Sequence, residues 1–385
     1  MKPFASANSL QNKCLRLWME QPGQTRYDLN GYCKVLAEEY PFAKTLNSMA
    51  RQASAERAWC AISRFYQNCR QNKPGKKGYP KFKKFCRSVE YKTCGWKLLG
   101  PKRIKFTNHN GIGELRLVGT YDLARYQPSQ IKRVRLVRRA DCYYCQFCIK
   151  ADGTVESQPT GRAIGLDLGI KYFLADSNGH TEASPQFYRR SEHQLNRVNR
   201  QKSKKYRQGV KPQSRNYRKA RRRYARKHLR VSRQRKEYVK GLAYCVIQSN
   251  DLVAYVRCKR SRRVNLNVKG LVKNRHLSKS ISDAGWSQFR CWLEYFGGKY
   301  GKVTVAVAPH NTSQNCSRCG KKVQKSLSTR THLCPHCGYE ADRDVNAALN
   351  ILQRGLSTVG QTGIYAWGEG TSTGVGAILP QQVAS

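Results

Sequence analysis

The sequence predicts a multidomain α/β protein. A helical region over residues 1–88 leads into a small antiparallel β-barrel over 89–160. A mixed α/β domain follows over 161–354, with a metal ribbon at 312–340, and a disordered tail over 355–385 ends the chain. Three observations predict this order. Apolar residues recur at three- and four-residue spacing up to about residue 72, short alternating strands follow, and apolar strands then interleave with helical stretches.

The first region rests on CLRLWM, LNGYCKVLAEEY and SMARQASAERAWCAISRFYQNC, broken by QPGQTRY and YPFAK. KPGKKGYPKFKK (73–84) is a basic Pro/Gly linker in which Tyr79, Phe82 and Phe85 are interleaved with lysines, equally suited to a solvated hinge or to stacking on bases. RIKFT, ELRLVG, IKRVRLVRR and YYCQFCIK read as the barrel strands, with Lys132, Arg133, Arg135, Arg138 and Arg139 decorating the surface. ADGTVESQPTG (151–161) reads as a linker to the next domain. There AIGLDLGI and KYFLAD are strands, the second turning at DSNG into a hairpin, and LVAYV and KVTVAVAP supply two more. RNYRKARRRYARKHLRVSRQRKEYVKGLAYCVIQ and SDAGWSQFRCWLEYFGGKYG read as helices. The Gly- and Ser-rich end after Gln353 reads as disordered.

Charge narrows the function. Lys and Arg number 73 against 23 Asp and Glu, a net charge of +50. Such a field repels itself unless a polyanion neutralises it, so nucleic acid is the expected partner. From Arg189 to Lys236 there are 21 basic residues and one acid, Glu192. Arg218, Lys219, Arg221, Arg222, Arg223, Arg226, Lys227 and Arg230 form the densest part and are the candidate nucleic-acid contacts. No run of 18 apolar residues predicts a membrane span, and the opening MKPFASANSLQNKCL lacks the apolar core of a secretory signal. Most of the 16 cysteines are therefore expected to be reduced, with the scattered Cys14, Cys33, Cys60, Cys69, Cys86, Cys94, Cys245, Cys258 and Cys291 packed as small apolar residues.

Four cysteines follow a different logic. CSRCGKKVQKSLSTRTHLCPHCG sets Cys316, Cys319, Cys334 and Cys337 as two C-x2-C pairs, 14 residues apart. Each pair makes a tight knuckle, and two knuckles complete a tetrahedron of thiolates, the donor set of a structural zinc ion. His332 and His336 are not required as ligands. Two carboxylates flank this ribbon in informative positions: Asp167 in the apolar strand GLDLGI, and Asp344, with Asp342, at the start of a short helix in EADRDVNAALNIL. A carboxylate within an apolar strand is expensive unless it is exposed at an edge, paired or bound to metal.

GLDLGIKYF, TSQNCSRCG and CGYEADRDVNAALNIL resemble the nuclease core of the TnpB family, transposon-encoded RNA-guided DNA endonucleases related to type V CRISPR effectors. The resemblance covers roughly residues 11–353. It implies a helical recognition domain, a wedge barrel and an RNase H-like (RuvC) domain. In that domain two Asp and one Glu hold two Mg²⁺ ions that cleave DNA, guided by an RNA. Asp167 matches the first carboxylate and Asp344 the third; Asp342 would stand behind them. Guide RNA and target DNA are the implied partners, and a cytoplasmic, nucleoid-associated prokaryotic setting is implied with them. The oligomeric state is left open.

The resemblance breaks at the second carboxylate. The family's Glu follows a strand like LVAYEDL and precedes a stretch like NVKGLVKNRHLSKSISDAGW, which is present here from Asn267 to Trp286. Between them stands VRCKRSRRVN. One alignment puts Val264 and Asn265 at the acid positions, after an insertion of Val256 to Arg263; another puts Val256 and Arg257 there. Neither supplies an acid, and nearby arginines would repel Mg²⁺. The N-terminal MKPFASANSLQ also replaces the family's opening strand. Three readings follow: an RNA-guided endonuclease with impaired cleavage, a nuclease-dead guided DNA binder or decayed transposase-associated protein, and a basic zinc-ribbon structural RNA-binding protein.

Overall fold

The computed structural model of the chain describes residues 2–107, 112–120, 122–210, 212–256, 277–326 and 329–359. It divides into two compact units, residues 1–152 and 153–385.

The first unit opens on α1 (Lys2–Glu20), α2 (Arg26–Glu39), the short α3 (Pro41–Lys44) and α4 (Ser48–Arg70). Helix α2 begins at a capping box in which Thr25 and Asp28 exchange hydrogen bonds, as the T-R-Y-D spacing allows. Helix α1 already runs from Lys2, so the altered N-terminus is helical. The strands β1 (Ser88–Tyr91), β2 (Trp96–Gly100), β3 (Arg103–Phe106), β4 (Glu114–Arg116), β5 (Ile131–Arg138) and β6 (Tyr143–Ile149) form two antiparallel three-stranded sheets, β1-β5-β6 and β2-β3-β4. No closed barrel is paired among the described residues. Leu10, Leu36 and Ile62 of the helices share one core with Tyr91, Ile104 and Val134 of the strands, so the helices before residue 88 and the strands up to residue 149 pack together.

Two expected surface arginines are committed elsewhere in this unit. Arg133 and Arg135 donate to the buried Glu90 at 2.8 and 2.6 Å, and Lys92 reaches Glu56 at 2.7 Å. Burial pushes the Glu90 carboxyl up, but the hydrogen bonds from Arg133 and Arg135 outweigh it and hold it below its ordinary value. Arg133 also lies 3.5 Å from Glu56 of α4 and so braces the sheet against that helix.

The second unit is built on a five-stranded sheet in the order β11-β10-β7-β8-β9. Its strands are β7 (Ala163–Asp167), β8 (Tyr172–Asp176), β9 (Thr181–Ala183), β10 (Leu252–Val256) and β11 (Val303–Val307). Strand β10 lies between β7 and β11, parallel to both, while β8 pairs antiparallel with both β7 and β9. Helices α5 (Phe187–Ser203) and α6 (Arg215–Ser249) connect β9 to β10. The one helix expected over 282–301 is two, α7 (Ser278–Ala284) and α8 (Trp286–Tyr300), divided at Gly285 with φ +71°. After β11 the ribbon hairpin β12 (Thr331–Leu333) and β13 (Glu340–Asp342) leads into α9 (Arg343–Val359).

The central strands are buried on both faces, which is why LVAYV shows no apolar–polar alternation. On one face Ile164, Leu166, Val253 and Tyr255 pack with Ile247 of α6 and Phe289 and Leu293 of α8. On the other, Ala163, Leu252, Ala254 and Val256 pack with Ile351, Leu352 and Val359 of α9. Residues 153–161, expected as a linker, are tied to this unit: Thr160 and Gly161 donate backbone N–H to Asp251, whose carboxylate also pairs with buried Lys302 at 2.5 Å.

Helix α9 runs to Val359, so the expected tail does not start at 355; residues 360–385 lie outside the described residues, as do Arg257 to His276. Among the scattered cysteines only Cys14 and Cys33 are buried. Cys86 is half-buried, Cys60, Cys69, Cys94, Cys245 and Cys291 are exposed, and Cys258 lies outside the described residues. Among the described residues no helix is long and apolar enough to cross a membrane.

Candidate active site

Asp167 is the last residue of β7, a strand in the middle of the sheet. Alternation along the strand turns Asp167 to the α9 face, since Leu166 belongs to the opposite core. Helix α9 comes unusually close there. A Cβ at Gly165 would lie 2.1 Å from the Ala348 carbonyl oxygen and 2.7 Å from the Leu352 nitrogen; at Gly355 it would lie 2.5 Å from Ala254 Cβ. Two glycines thus let the helix lie directly on β7 and β10.

That approach brings Asp344, the second residue of α9, to Asp167. Burial, then the charge of Asp344, pushes the Asp167 carboxyl up to about 7, although the Leu168 N–H and Arg343 act in the opposite sense. Asp342 ends β13, and its Oδ1 accepts the Asp344 backbone N–H at 2.8 Å, capping a helix of 17 residues where a short one was expected. The sequence motif did not reveal what faces Asp344. Arg343 donates to Oδ1 from Nη2 at 3.1 Å and from Nε at 3.2 Å, and Arg330 Nη1 lies 3.6 Å from Oδ2.

Of the positions that the two alignments offer for the missing second carboxylate, only Val256 lies among the described residues. Tyr255 pairs with Leu166, so the next rung sets Val256 beside Asp167, and Val256 belongs to the α9-face core. Its apolar side chain is buried, 6% exposed. Arg257, Val264 and Asn265, the other positions from the two alignments, lie outside the described residues. Glu294 does not substitute: it accepts from the Tyr255 hydroxyl at 2.9 Å and pairs with Arg290, and Tyr255 lies on the opposite face of the sheet from Asp167. Glu237 is exposed on α6.

The four ribbon cysteines converge. Cys316 Sγ lies 3.6 Å from Cys337 Sγ, Cys319 Sγ 3.6 Å from Cys334 Sγ, and all four lie within 4.8 Å of one another. Thiolates around one zinc ion at 2.3 Å are separated by about 3.8 Å, so the spacing fits that ion. Gly320 and Gly338, at φ +74° and +67°, close each knuckle by donating to the carbonyls of Cys316 and Cys334. Burial disfavours the Cys334 thiolate, but N–H groups of His336 and Cys337 and the neighbouring thiols outweigh it and hold this thiol at about 7. His332 is buried beside Lys325, outside the sulfur cluster.

Helix α9 also grips the ribbon, through residues not singled out from the sequence. Asn346, fully buried, accepts from the Ser317 N–H at 2.9 Å and donates to the Asn315 carbonyl at 2.8 Å. Asn350 donates to the same carbonyl at 2.7 Å and to that of Thr312 at 2.8 Å. These bonds straddle Cys316, so one helix fixes both a metal knuckle and Asp344. The i, i+4 spacing in NAALN was the available signal.

The basic candidates lie on α6. Lys219, Arg222, Arg223, Arg226, Lys227 and Arg230 line one shallow groove, and Arg218 and Arg221 are exposed beside it. Fully buried positions on α6 begin only at Val231, so residues 215–230 have little core to hold them. Helix α5 supports them through Lys202, which lies 4.4 Å from the Tyr224 ring centroid, and Gln194, which accepts from Lys227. Among the described residues no carboxylate pairs with Arg222, Arg223, Arg226 or Arg230.

Comparison with known proteins is consistent with this geometry. A family model described as "Probable transposase" (OrfB_IS605) matches residues 146–274, and one described as "Cas12f1-like, TNB domain" matches 286–351. A Streptomyces pristinaespiralis protein named "Putative RNA-guided DNA endonuclease" is 34% identical over 54% of this chain and 48% of its own length. The Escherichia coli K12 protein named "Putative RNA-guided DNA endonuclease InsQ" is 25% identical over 72% of this chain and 68% of its own. The chain belongs to the TnpB family. It spans about half the length of the Streptomyces relative. The fold of this TnpB family member resembles the protein in the cryo-EM structure of a Cas12f1–sgRNA–target DNA complex, with TM-score 0.53, 14% identity, and coverage of 91% of this chain and 81% of that one.

Proposed function

We propose that this TnpB family member is an RNA-guided, DNA-targeting protein whose second unit is an RNase H-like (RuvC-type) nuclease core with weakened cleavage. The observation that carries the reading is the carboxylate pair, with Asp167 at the end of a central parallel strand and its carboxyl pushed up by Asp344. Strand order β11-β10-β7-β8-β9 supports the core assignment. The first unit then acts as the recognition and wedge part. The groove on α6 holds phosphates of guide RNA or target DNA. Four converging thiolates suit a structural zinc ion, which would tie both knuckles to α9.

The residues present do not fit a two-ion magnesium site. Two carboxylates converge, buried Val256 stands at one of the two aligned positions for the missing second acid, and arginines lie against both oxygens of Asp344. Hard divalent cations require a dense set of oxygen ligands, and this cluster is short of one while two positive charges oppose the ion. Guided binding with little cutting is the reading these residues favour.

The test is expression together with the chain's own flanking genomic DNA, sequencing of co-purified RNA, and cleavage assays on a matching duplex. A structured RNA should co-purify and direct binding, with poor cleavage. Val256→Glu should raise Mg²⁺-dependent cleavage, and adding Asp167→Ala should abolish the gain. Strong Asp167-dependent cutting by the unmodified chain would overturn the impaired-site reading. Absence of any bound RNA would overturn the guided one.

A further inference from the structure

The segment between α4 and β1, residues 71–87, contains no helix or strand, yet it is fastened along its length. Asn68 of α4 donates to the Lys77 carbonyl at 3.0 Å. Asn8 and Asn12 of α1 donate to the Lys83 carbonyl at 2.9 and 2.8 Å, and Asn12 Oδ1 accepts the Lys83 N–H at 2.9 Å. Arg57 of α4 closes the far end, donating to the Ser88 carbonyl at 2.7 Å. Pro80 is buried. A solvated hinge would have no use for this many side-chain hooks.

What the strap displays is unusual. Tyr79, Phe82 and Phe85 are 53%, 50% and 62% exposed. Large aromatic rings normally supply core or interface area, so three held out in water by a fastened backbone indicate a partner surface. Two are backed by the helices, Tyr79 by Trp18 and Phe65 at 5.6 and 5.3 Å and Phe82 by Arg16 at 5.9 Å, while Phe85 lies 5.7 Å from Arg87 within the strap. Between Glu56 and Glu90 the chain holds no acid, and Lys81, Lys83 and Lys84 alternate with the rings. The three-residue spacing is the period of an extended polyproline-type chain, about 9 Å per repeat.

We infer that this strap is a stacking platform for unpaired bases of a nucleic-acid strand, with Tyr79, Phe82 and Phe85 stacking on bases and the interleaved lysines holding phosphates. A planar, apolar, anionic ligand is what rings and ammonium groups in alternation complement. The site lies wholly within the first unit and stands whether or not the carboxylate pair cuts DNA.

Salt dependence separates the two contributions. Binding of the full chain to oligo(U), oligo(dT) and a DNA duplex is measured by fluorescence anisotropy across a salt series. Extrapolation of log K to 1 M salt isolates the part independent of counterion release. Phe82→Ala/Phe85→Ala should weaken both single strands about tenfold or more at that reference, leave the salt slope unchanged, and spare the duplex. Lys81→Gln/Lys83→Gln/Lys84→Gln should instead lower the slope, by about 0.7 for each phosphate no longer neutralised. Phe82→Leu/Phe85→Leu, which keeps apolar bulk without a flat ring, should behave like the alanine pair. The inference is overturned if the alanine pair binds single strands as the parent does. Equal losses on duplex and single strands overturn it too. So does full affinity in the leucine pair.

Discussion

Asp167→Asn should stabilise the magnesium-free protein, and the stabilisation should depend on pH. In the unfolded chain this carboxyl titrates near 3.8, and in the native site burial and Asp344 move it to about 7. The native state therefore keeps its proton where the unfolded state has lost it, so ionisation opposes folding progressively as pH rises from 3.8 to about 7. At 1.36 kcal/mol for each pH unit, the full span corresponds to about 4 kcal/mol. Partial exposure of the carboxylate reduces the measurable part to about 2–3 kcal/mol. Asn is nearly isosteric, can still accept from the Leu168 N–H, and carries no charge. Urea unfolding of zinc-loaded protein, followed from pH 5 to 8, should show the variant more stable at pH 8 by that amount, with the gap narrowing towards pH 5. A gap that does not change with pH, or a variant less stable at pH 8, would refute the claim that Asp167 is a charge held at a cost.

Four further outcomes concern the ribbon, the sheet and the basic helix. Cys334→Ser should reduce bound zinc below one ion per chain by elemental mass spectrometry. Asn346→Ala should keep zinc but speed its loss to a chelator, since the half-buried Ser317 N–H beside Cys316 loses its acceptor, worth about 1 kcal/mol, and the Asn315 carbonyl is left with Asn350 alone. Gly165→Ala should cost about 3 kcal/mol or more in urea unfolding, because the new methyl meets backbone atoms of α9 that cannot rotate away; an unchanged midpoint would mean the helix does not lie on β7. Charge reversal at Arg222, Arg223 and Arg226 should weaken binding of all nucleic-acid sequences alike and reduce the salt slope by about one for each phosphate no longer neutralised.

Local chemistry was legible in the chain itself. The paired C-x2-C spacing determined a four-thiolate cluster, because two residues between cysteines permit only a tight knuckle. The central strands, the long basic helix and the DSNG hairpin turn were legible because burial and charge leave a short-period pattern. The absence of an acid in VRCKRSRRVN was also plain from the sequence. Elsewhere the pattern was ambiguous. Four segments of the first unit read as the strands of a barrel, but the structure has six strands in two sheets that share a core with the helices, and pairing between distant strands leaves no local signature. Arg133 and Arg135 looked like free surface charge until Glu90, 43 residues away from the first and 45 from the second, came to lie against them. Only the tertiary structure decided that Val256 is buried on the α9 face, that Tyr255 and its partner Glu294 lie on the other, and that Arg330 and Arg343 stand against Asp344. Each depends on which face of a strand meets which helix, and that is fixed by two glycines too small to hold α9 away from the sheet.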